Sequence, residues 1–263
     1  MQFLIQHNLM NAEQLQLTKD AVAPYPHQFV GMIPFSREIT SDTPIVGNDY
    51  IPYGSTLMTT VALNEYKWKG LFFDLDKFNY ATADQFRSDM LNSGMILSLV
   101  ETIQFMRTEG GNRDWFIRPS QDLKQFSGQV IHAKECADWL QDAMECDSSG
   151  SYKMEWDTPI VVSEPVNIQA EWRWFIVDGK VVSGSMYRAH NQPRKERVIE
   201  QELIHEAQVS ANGWLPSPCC VMDLALVGGE LKIIEFNCIN ASGFYDNDVS
   251  AIFRELYNYC IKL

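Results

Sequence analysis

This sequence has no long apolar run, no metal-type cysteine pairs and no excess of positive charge. No stretch reaches the roughly 18 consecutive apolar residues that a membrane span requires. The opening MQFLIQHNLM has neither a basic flank nor an apolar segment long enough for a signal peptide. These absences predict a cytoplasmic protein with no membrane partner. Its six cysteines, Cys136, Cys146, Cys219, Cys220, Cys238 and Cys260, form no C-x-x-C pair and no Cys/His zinc spacing. Reduced, mostly buried thiols are therefore expected. His7, His27, His132, His190 and His205 make no H-E-x-x-H arrangement. A net charge of −13 opposes the Lys/Arg neutralisation that binding to a phosphate backbone relies on, so nucleic acid is a poor partner. Internal repeats and low-complexity tracts are also missing.

What is present suits a soluble globular chain. Its 263 residues, 46% apolar and 21% charged, suffice for one large domain or two small ones. Residues 1–80 read as a small α/β unit, with strands at Phe3–Ile5 and Phe29–Ile33 around a helix over Ala12–Val22, and a third strand at Gly70–Asp74. Ile51-Pro-Tyr-Gly reads as a turn before a helix capped by Ser55 or Thr56. Backbone amides there could hold an anionic group, although a plain cap is the commoner use of such a start.

One helix is expected over Thr82–Thr108, weakened in the middle by Gly94. Strands at Asp114–Pro119 and Gln129–His132 flank a loop, and an amphipathic helix follows over Ala137–Met144. Asp147-Ser-Ser-Gly-Ser reads as a flexible loop. After a strand at Pro159–Val166 come two longer ones, Ile168–Val177 and Lys180–Tyr187, joined at the hairpin signal Asp178-Gly179. A charged helix over Arg194–Val209 and a closing helix over Val249–Tyr259 complete a mixed α/β (α+β) fold with antiparallel hairpins in its C-terminal part.

The chemistry concentrates in Cys219–Tyr245, which reads as two strands joined by a tight turn. Asp223 lies on the first strand, Glu235 and Asn237 on the second. A two-residue Gly228-Gly229 loop pairs Asp223 with Ile234 and sends Glu235 to the opposite face. A three-residue loop, Val227-Gly228-Gly229, brings Asp223, Glu235 and Asn237 to one face. Two carboxylates and an amide oxygen there suit a hard cation, Mg²⁺, shared with substrate phosphates. The alternative is a hairpin whose polar face is simply solvated.

With Glu235-x-Asn237 following Asp223, and Arg118-Pro119 closing an earlier strand, the chain resembles the ATP-grasp superfamily, whose members join a carboxylate to an amine or similar nucleophile using ATP. More narrowly, it resembles a phage and bacterial clade with arginine in place of the first phosphate-binding lysine. The resemblance covers about residues 80–263. It implies a pre-ATP-grasp α/β domain over 1–80 and an ATP-grasp domain over 81–263, whose two α+β subdomains, 81–165 and 166–263, clasp ATP.

Residue by residue, the resemblance implies that Asp223, Glu235 and Asn237 hold Mg²⁺ and that Arg118 binds phosphate, its planar fork replacing the usual lysine. The clade supplies a lysine from the following loop, matched by Lys124. The long glycine-rich loop of many relatives is shortened here to Ser127-Gly128. Ser163, Glu164 and Val166 match the adenine-binding linker, and Glu171 the ribose position, against the plainer reading of Glu171 as a surface strand residue. Arg188 is the candidate for the γ-phosphate and the developing acyl phosphate, with Arg173 second; either could instead be a solvated arginine. Relatives often carry an arginine two residues before the metal Asp, where this chain has Val221. Asn240, Ser242, Phe244 and Tyr245 occupy the stretch where relatives position the acceptor.

The implied function is an ADP-forming carboxylate–amine ligase acting on small-molecule or peptide substrates. A non-ligase ATP-binding or host-interaction protein, and an ATP-dependent phosphotransferase, are the alternatives on the same fold. No Ser, Cys or His nucleophile is needed for the ligase chemistry. The identity of the acid and amine and the oligomeric state are not written in the sequence.

Overall fold

Phe3, Leu4 and Ile5 are all fully buried, as a strand covered on both faces demands. They form β1 (Gln2–Gln6), the centre of the first sheet in a computed structural model of the chain, which describes residues 1–8, 10–33, 36–121, 125–145 and 154–263. The first elements are α1 (Ala12–Val22), β2 (His27–Met32), β3 (Ile39–Thr40), β4 (Tyr50–Tyr53) and α2 (Thr56–Val61). The sheet order is β3-β2-β1-β4, with β2 and β4 both parallel to β1. Helix α1 is the crossover that a parallel β1–β2 pair requires. Asn11 caps it, accepting from the Gln14 amide. Ser55 caps α2 in the same way, accepting from Met58.

Two expectations fail in this region. The segment read as a turn, Ile51–Gly54, falls largely within β4, the strand Tyr50–Tyr53 beside β1, whereas residues 70–74 join no ladder. A Cβ on Gly70 would sit 2.7–2.8 Å from Ile51 and Tyr50, so only glycine lets this segment lie against β4.

The chain divides into two compact units, one made of Met1–Asp74 with Ile168–Leu263 and the other of Leu75–Asn167. The second unit contains α3 (Tyr80–Phe86), β5 (Met95–Ser98), α4 (Leu99–Thr108), β6 (Asp114–Pro119), β7 (Gln129–His132), α5 (Ala133–Glu145) and β8 (Pro159–Ser163). Its antiparallel sheet runs β5-β8-β6-β7. Leu99, Ile103 and Met106 of α4, with Leu140 of α5, pack on Trp115, Ile117, Ile160 and Val162.

The single helix expected over 82–108 is thus two helices with a strand between them. Gly94 approaches the Val162 carbonyl so closely that a Cβ would lie 2.5 Å from it. Ser98 and Glu101 then form a reciprocal capping box that starts α4. That S-x-x-E signal outweighs the apolar period that runs through it.

The remaining elements return to the first unit: β9 (Ala170–Val177), β10 (Lys180–Ala189), β11 (Gln192–Arg197), α6 (Gln201–Ala211), β12 (Cys220–Val227), β13 (Glu230–Asn237) and α7 (Val249–Cys260). Their antiparallel sheet has the order β11-β10-β9-β12-β13. The expected Arg194–Val209 helix starts only at Gln201, because His190 and Asn191 turn the chain with φ of 47° and 60° and residues 192–197 pair with β10. Every position of β11 is exposed, which suits a charged edge strand containing Pro193. Phe175, Val177 and Val221 share one core with Phe3, Ile5, Tyr53 and Phe72, closed by Ile252, Phe253 and Leu256 of α7. No helix among the described residues is long and apolar enough to cross a membrane. Cys146 and the Asp147–Ser151 segment lie outside the described residues.

Candidate active site

The β12–β13 hairpin solves the parity problem by a route the sequence reading did not weigh. Its turn has two residues, Gly228 and Gly229, with φ of 61° and 89°, a conformation that favours glycine. Val227 pairs with Glu230, and the regular register continues to Leu224 with Ile233. There it slips. Ile234 is the extra residue of a bulge, and Asp223 pairs with Glu235, Val221 with Asn237. The expected three-residue loop is therefore corrected to a two-residue turn plus a bulge. The extra residue has the same effect on parity, so Asp223, Glu235 and Asn237 share a face.

On the other side of β12, Asp223 pairs with Arg173 of β9. Arg173 Nε donates to Asp223 Oδ1 at 2.9 Å and Nη2 to Oδ2 at 2.7 Å, a bidentate contact. The side chains are 12% and 2% exposed, so this is a buried ion pair. Burial works against the Arg173 charge, but the adjoining Asp223 carboxylate outweighs it and holds the guanidinium above its ordinary value. Asn237 Nδ2 donates to Asp223 Oδ2 at 3.3 Å and to Glu235 Oε1 at 3.0 Å, standing between the two carboxylates. Among the described residues no three His, Cys, Asp or Glu side chains group to hold a metal. This cluster offers two carboxylates and an amide.

Farther along the same face lies Glu171, 6% exposed. A second bulge serves it. Met186 pairs with Trp172 and Arg188 with Glu171, leaving Tyr187 as the extra residue of β10. Two consecutive side chains therefore reach one carboxylate: Tyr187 Oη donates to Glu171 Oε2 at 2.7 Å, and Arg188 Nη1 to Oε1 at 3.1 Å. Burial, then the charges of Asp223 and Glu171, hold the Tyr187 phenol far above its ordinary value, so it remains a donor. Tyr245, in the left-handed region at φ 51°, stacks on Tyr187 with centroids 4.9 Å apart and planes 13° apart. The Arg173 guanidinium lies 5.0 Å from the Tyr245 ring centre. Tyr187 was missed by the sequence reading, and strict alternation along β10 contains no signal for it.

The other expected site residues are placed as follows. Asn240 is fully buried. Its Nδ2 donates to the carbonyls of Pro52 at 2.7 Å and Gly70 at 2.9 Å, and its Oδ1 accepts from the Phe72 amide at 2.8 Å. This amide ties three backbone segments together and faces no open surface. Ser242 Oγ, also buried, donates to the Cys238 carbonyl at 2.8 Å. In the second unit, Arg118 donates through Nε to the Pro119 carbonyl at 3.3 Å, with its guanidinium 5.6 Å from the Tyr80 ring centre. Ser163 ends β8 with its Oγ buried and without a hydrogen-bond partner among the described residues. Glu164 pairs with Arg113 at 2.8 Å in an exposed contact, and Val166 is exposed. Lys124 lies outside the described residues.

A family model for an ATP-grasp domain, the third family of its clade, matches residues 79–256. No curated protein matches. Among solved structures, the chain is similar to D-alanine–D-alanine ligase from Bacillus anthracis complexed with ATP, at TM-score 0.56 and 12% identity over 100% of this chain and 99% of that one. It is also similar to the ATP-grasp ligase PsnB complexed with minimal precursor, Mg and ADP, at TM-score 0.56 and 12% identity over 98% of each chain. D-cycloserine synthetase DcsG matches at TM-score 0.57 and 10% identity, over 99% of this chain and 100% of that one. At these identities the likeness is one of fold, the α/β ATP-grasp fold that the sequence led us to expect.

Proposed function

This chain belongs to the ATP-grasp family, and on that premise we propose that it is an ATP-dependent ligase joining a carboxylate to an amine. In the proposed reaction a carboxylate oxygen attacks the γ-phosphorus of ATP and ADP leaves, giving an acyl phosphate. The amine then attacks the acyl carbon, phosphate departs and the amine gives up a proton, leaving an amide.

The observation that carries this reading is the convergence of Asp223, Glu235 and Asn237 on one sheet face beside Arg173. The donor set fits Mg²⁺, a hard cation that takes oxygen ligands. Asn237 turns its NH₂ toward both carboxylates, and the same amide turned over presents an oxygen. Asp223, Glu235 and Asn237 would hold the ion, which would supply positive charge against the phosphates. Arg173, fixed on Asp223, is the better-supported partner for charge developing on the transferred phosphoryl group. Arg188, 51% exposed and held by Glu171, is better placed to support that carboxylate. From the family likeness we assign Arg118 and Lys124 to the phosphates, Glu171 to the ribose, and Ser163, Glu164 and Val166 to adenine. Tyr245 is a candidate substrate contact, while Asn240 and Ser242 are given a positioning role because their polar atoms serve the backbone.

PsnB was solved with a minimal precursor and DcsG is a D-cycloserine synthetase, which supports screening both peptides and small amino compounds. The test is incubation of the full chain with Mg·ATP and panels of amino acids and short peptides, read by mass spectrometry and phosphate release. We expect ADP, free phosphate and a product one water lighter than the summed reactants, all lost in Glu235→Gln. A stable phosphorylated product without free phosphate would replace the ligase with a phosphotransferase. ATP binding with no ADP formed across the panels would leave a nucleotide-binding protein.

A further inference from the structure

We infer that Tyr187 is a positioning residue for the nucleotide sugar: its hydroxyl holds Glu171 so that the carboxylate can receive two neighbouring hydroxyl groups. The inference rests on the proposed ribose role of Glu171 and adds a residue that the family likeness does not supply.

First, the bulge in β10 delivers two successive side chains to one carboxylate, which a regular strand with its period of two cannot do. Tyr187 takes Oε2 and Arg188 takes Oε1. With one donor on each oxygen the plane of the carboxylate is set, and each oxygen retains acceptor capacity for one further O–H.

Second, the two donors differ in strength of hold. Arg188 is half in water, where its ion pair is screened and its long side chain keeps rotamer freedom. The Tyr187 ring is clamped by its stack on Tyr245 and lies 5.9 Å from the Arg173 guanidinium. The rigid partner is therefore Tyr187.

Third, a phenol donates without bringing a formal charge. Tyr187 therefore orients the Glu171 carboxyl through a hydrogen bond alone, and a carboxylate acceptor makes stronger hydrogen bonds to incoming hydroxyls than a neutral one does. A vicinal diol, as in a ribose, fits two such acceptors side by side. A 2′-deoxy sugar leaves one of them without its donor.

The experiment is titration calorimetry of ATP and 2′-deoxy-ATP into the full chain, comparing wild type, Tyr187→Phe, Glu171→Gln and the double variant. Wild type should favour ATP by about tenfold, the ratio expected for one hydrogen bond to a charged acceptor. Tyr187→Phe keeps the ring and its stack, and should reduce that ratio to about threefold or less. In the Glu171→Gln background the same change should alter the ratio no further, because Tyr187 acts through that carboxylate. A Tyr187→Phe chain with the wild-type ratio overturns the inference, as does an effect that persists in the Glu171→Gln background. Wild type that binds both nucleotides equally removes the sugar role of Glu171 and Tyr187 together while leaving ATP binding intact. Wild type that binds neither removes the ligase reading itself.

Discussion

Arg173 and Asp223 face each other across neighbouring strands and meet through two hydrogen bonds, at 2.9 and 2.7 Å, in nearly dry surroundings. Removing one member of such a pair leaves the other charge buried with a partner gone, which typically costs about 3–5 kcal/mol. Arg173→Gln should lower the unfolding free energy in urea by about 3 kcal/mol. Combined with Asp223→Asn it should show a coupling above roughly 1 kcal/mol in a double-mutant cycle. Independent, additive effects of the two changes would mean that the contact contributes little. If Arg173 also meets the transferred phosphoryl group, ATP turnover should fall by about 100-fold or more in the same variant.

Asn237 makes a separable prediction. Its NH₂ donates to both Asp223 and Glu235, so Asn237→Asp exchanges a donor for a third carboxylate. In EDTA this variant should melt below wild type, because like charges are crowded in a buried site. Added Mg²⁺ should then raise its melting temperature more than it raises that of wild type. Equal Mg²⁺ shifts for the two proteins would argue against a cation held by this cluster.

Asn240 is predicted to matter for folding. Its side chain satisfies the Phe72 amide and the carbonyls of Pro52 and Gly70 inside the core. Asn240→Ala leaves those groups without their side-chain partner and should cost about 2–4 kcal/mol, measured by chemical unfolding. Asn240→Asp should cost more, since it points a carboxylate at two carbonyl oxygens. A loss below about 1 kcal/mol in Asn240→Ala would remove the tie from the account.

The thiols supply a prediction with a pH window. Burial pushes Cys136, Cys219 and Cys260 up to about 12, and Cys220 higher still. In the folded chain at pH 8 the thiolate fraction of the first three is then about one in ten thousand. In a Cys146→Ser background, a thiol reagent at pH 8 should modify these cysteines only as fast as the chain opens. The fold keeps protons that the unfolded chain releases near pH 9, so these groups make stability fall as pH rises from about 9 to about 12. Stability constant across that window would contradict their burial.

The Asp178-Gly179 turn was legible as a short-range signal, whereas Gly228-Gly229 marked the second turn without fixing its length; both fold with positive φ at each residue. Helices α1 and α7 follow from apolar spacing and local caps. The grouping of Asp223 with Glu235 and Asn237 was legible as one of two parities, through an ordered set of residues that solvated faces do not need. The break in the 82–108 segment was also written locally, in Ser98 and Glu101, but the apolar period obscured it. Caps and tight turns depend on residues within a few positions of one another, so their signals stand in the amino-acid sequence itself, whereas the parity at Asp223 is not settled there.

The bulges were not legible. Ile234 and Tyr187 look like ordinary strand residues, and nothing beside them in sequence marks either as the extra one. Without the slip at Ile234, Glu235 would turn to the face where Trp172, Trp174, Met222 and Leu224 are buried, and a carboxylate among them would be costly. With it, the same carboxylate lies beside Asp223, Asn237 and, through Asp223, Arg173. Register depends on what lies across the strand, and those partners come from positions tens of residues away. Local spacing and caps therefore determined many of the elements and the kind of chemistry, while tertiary pairing decided the remaining strands and which side chains meet.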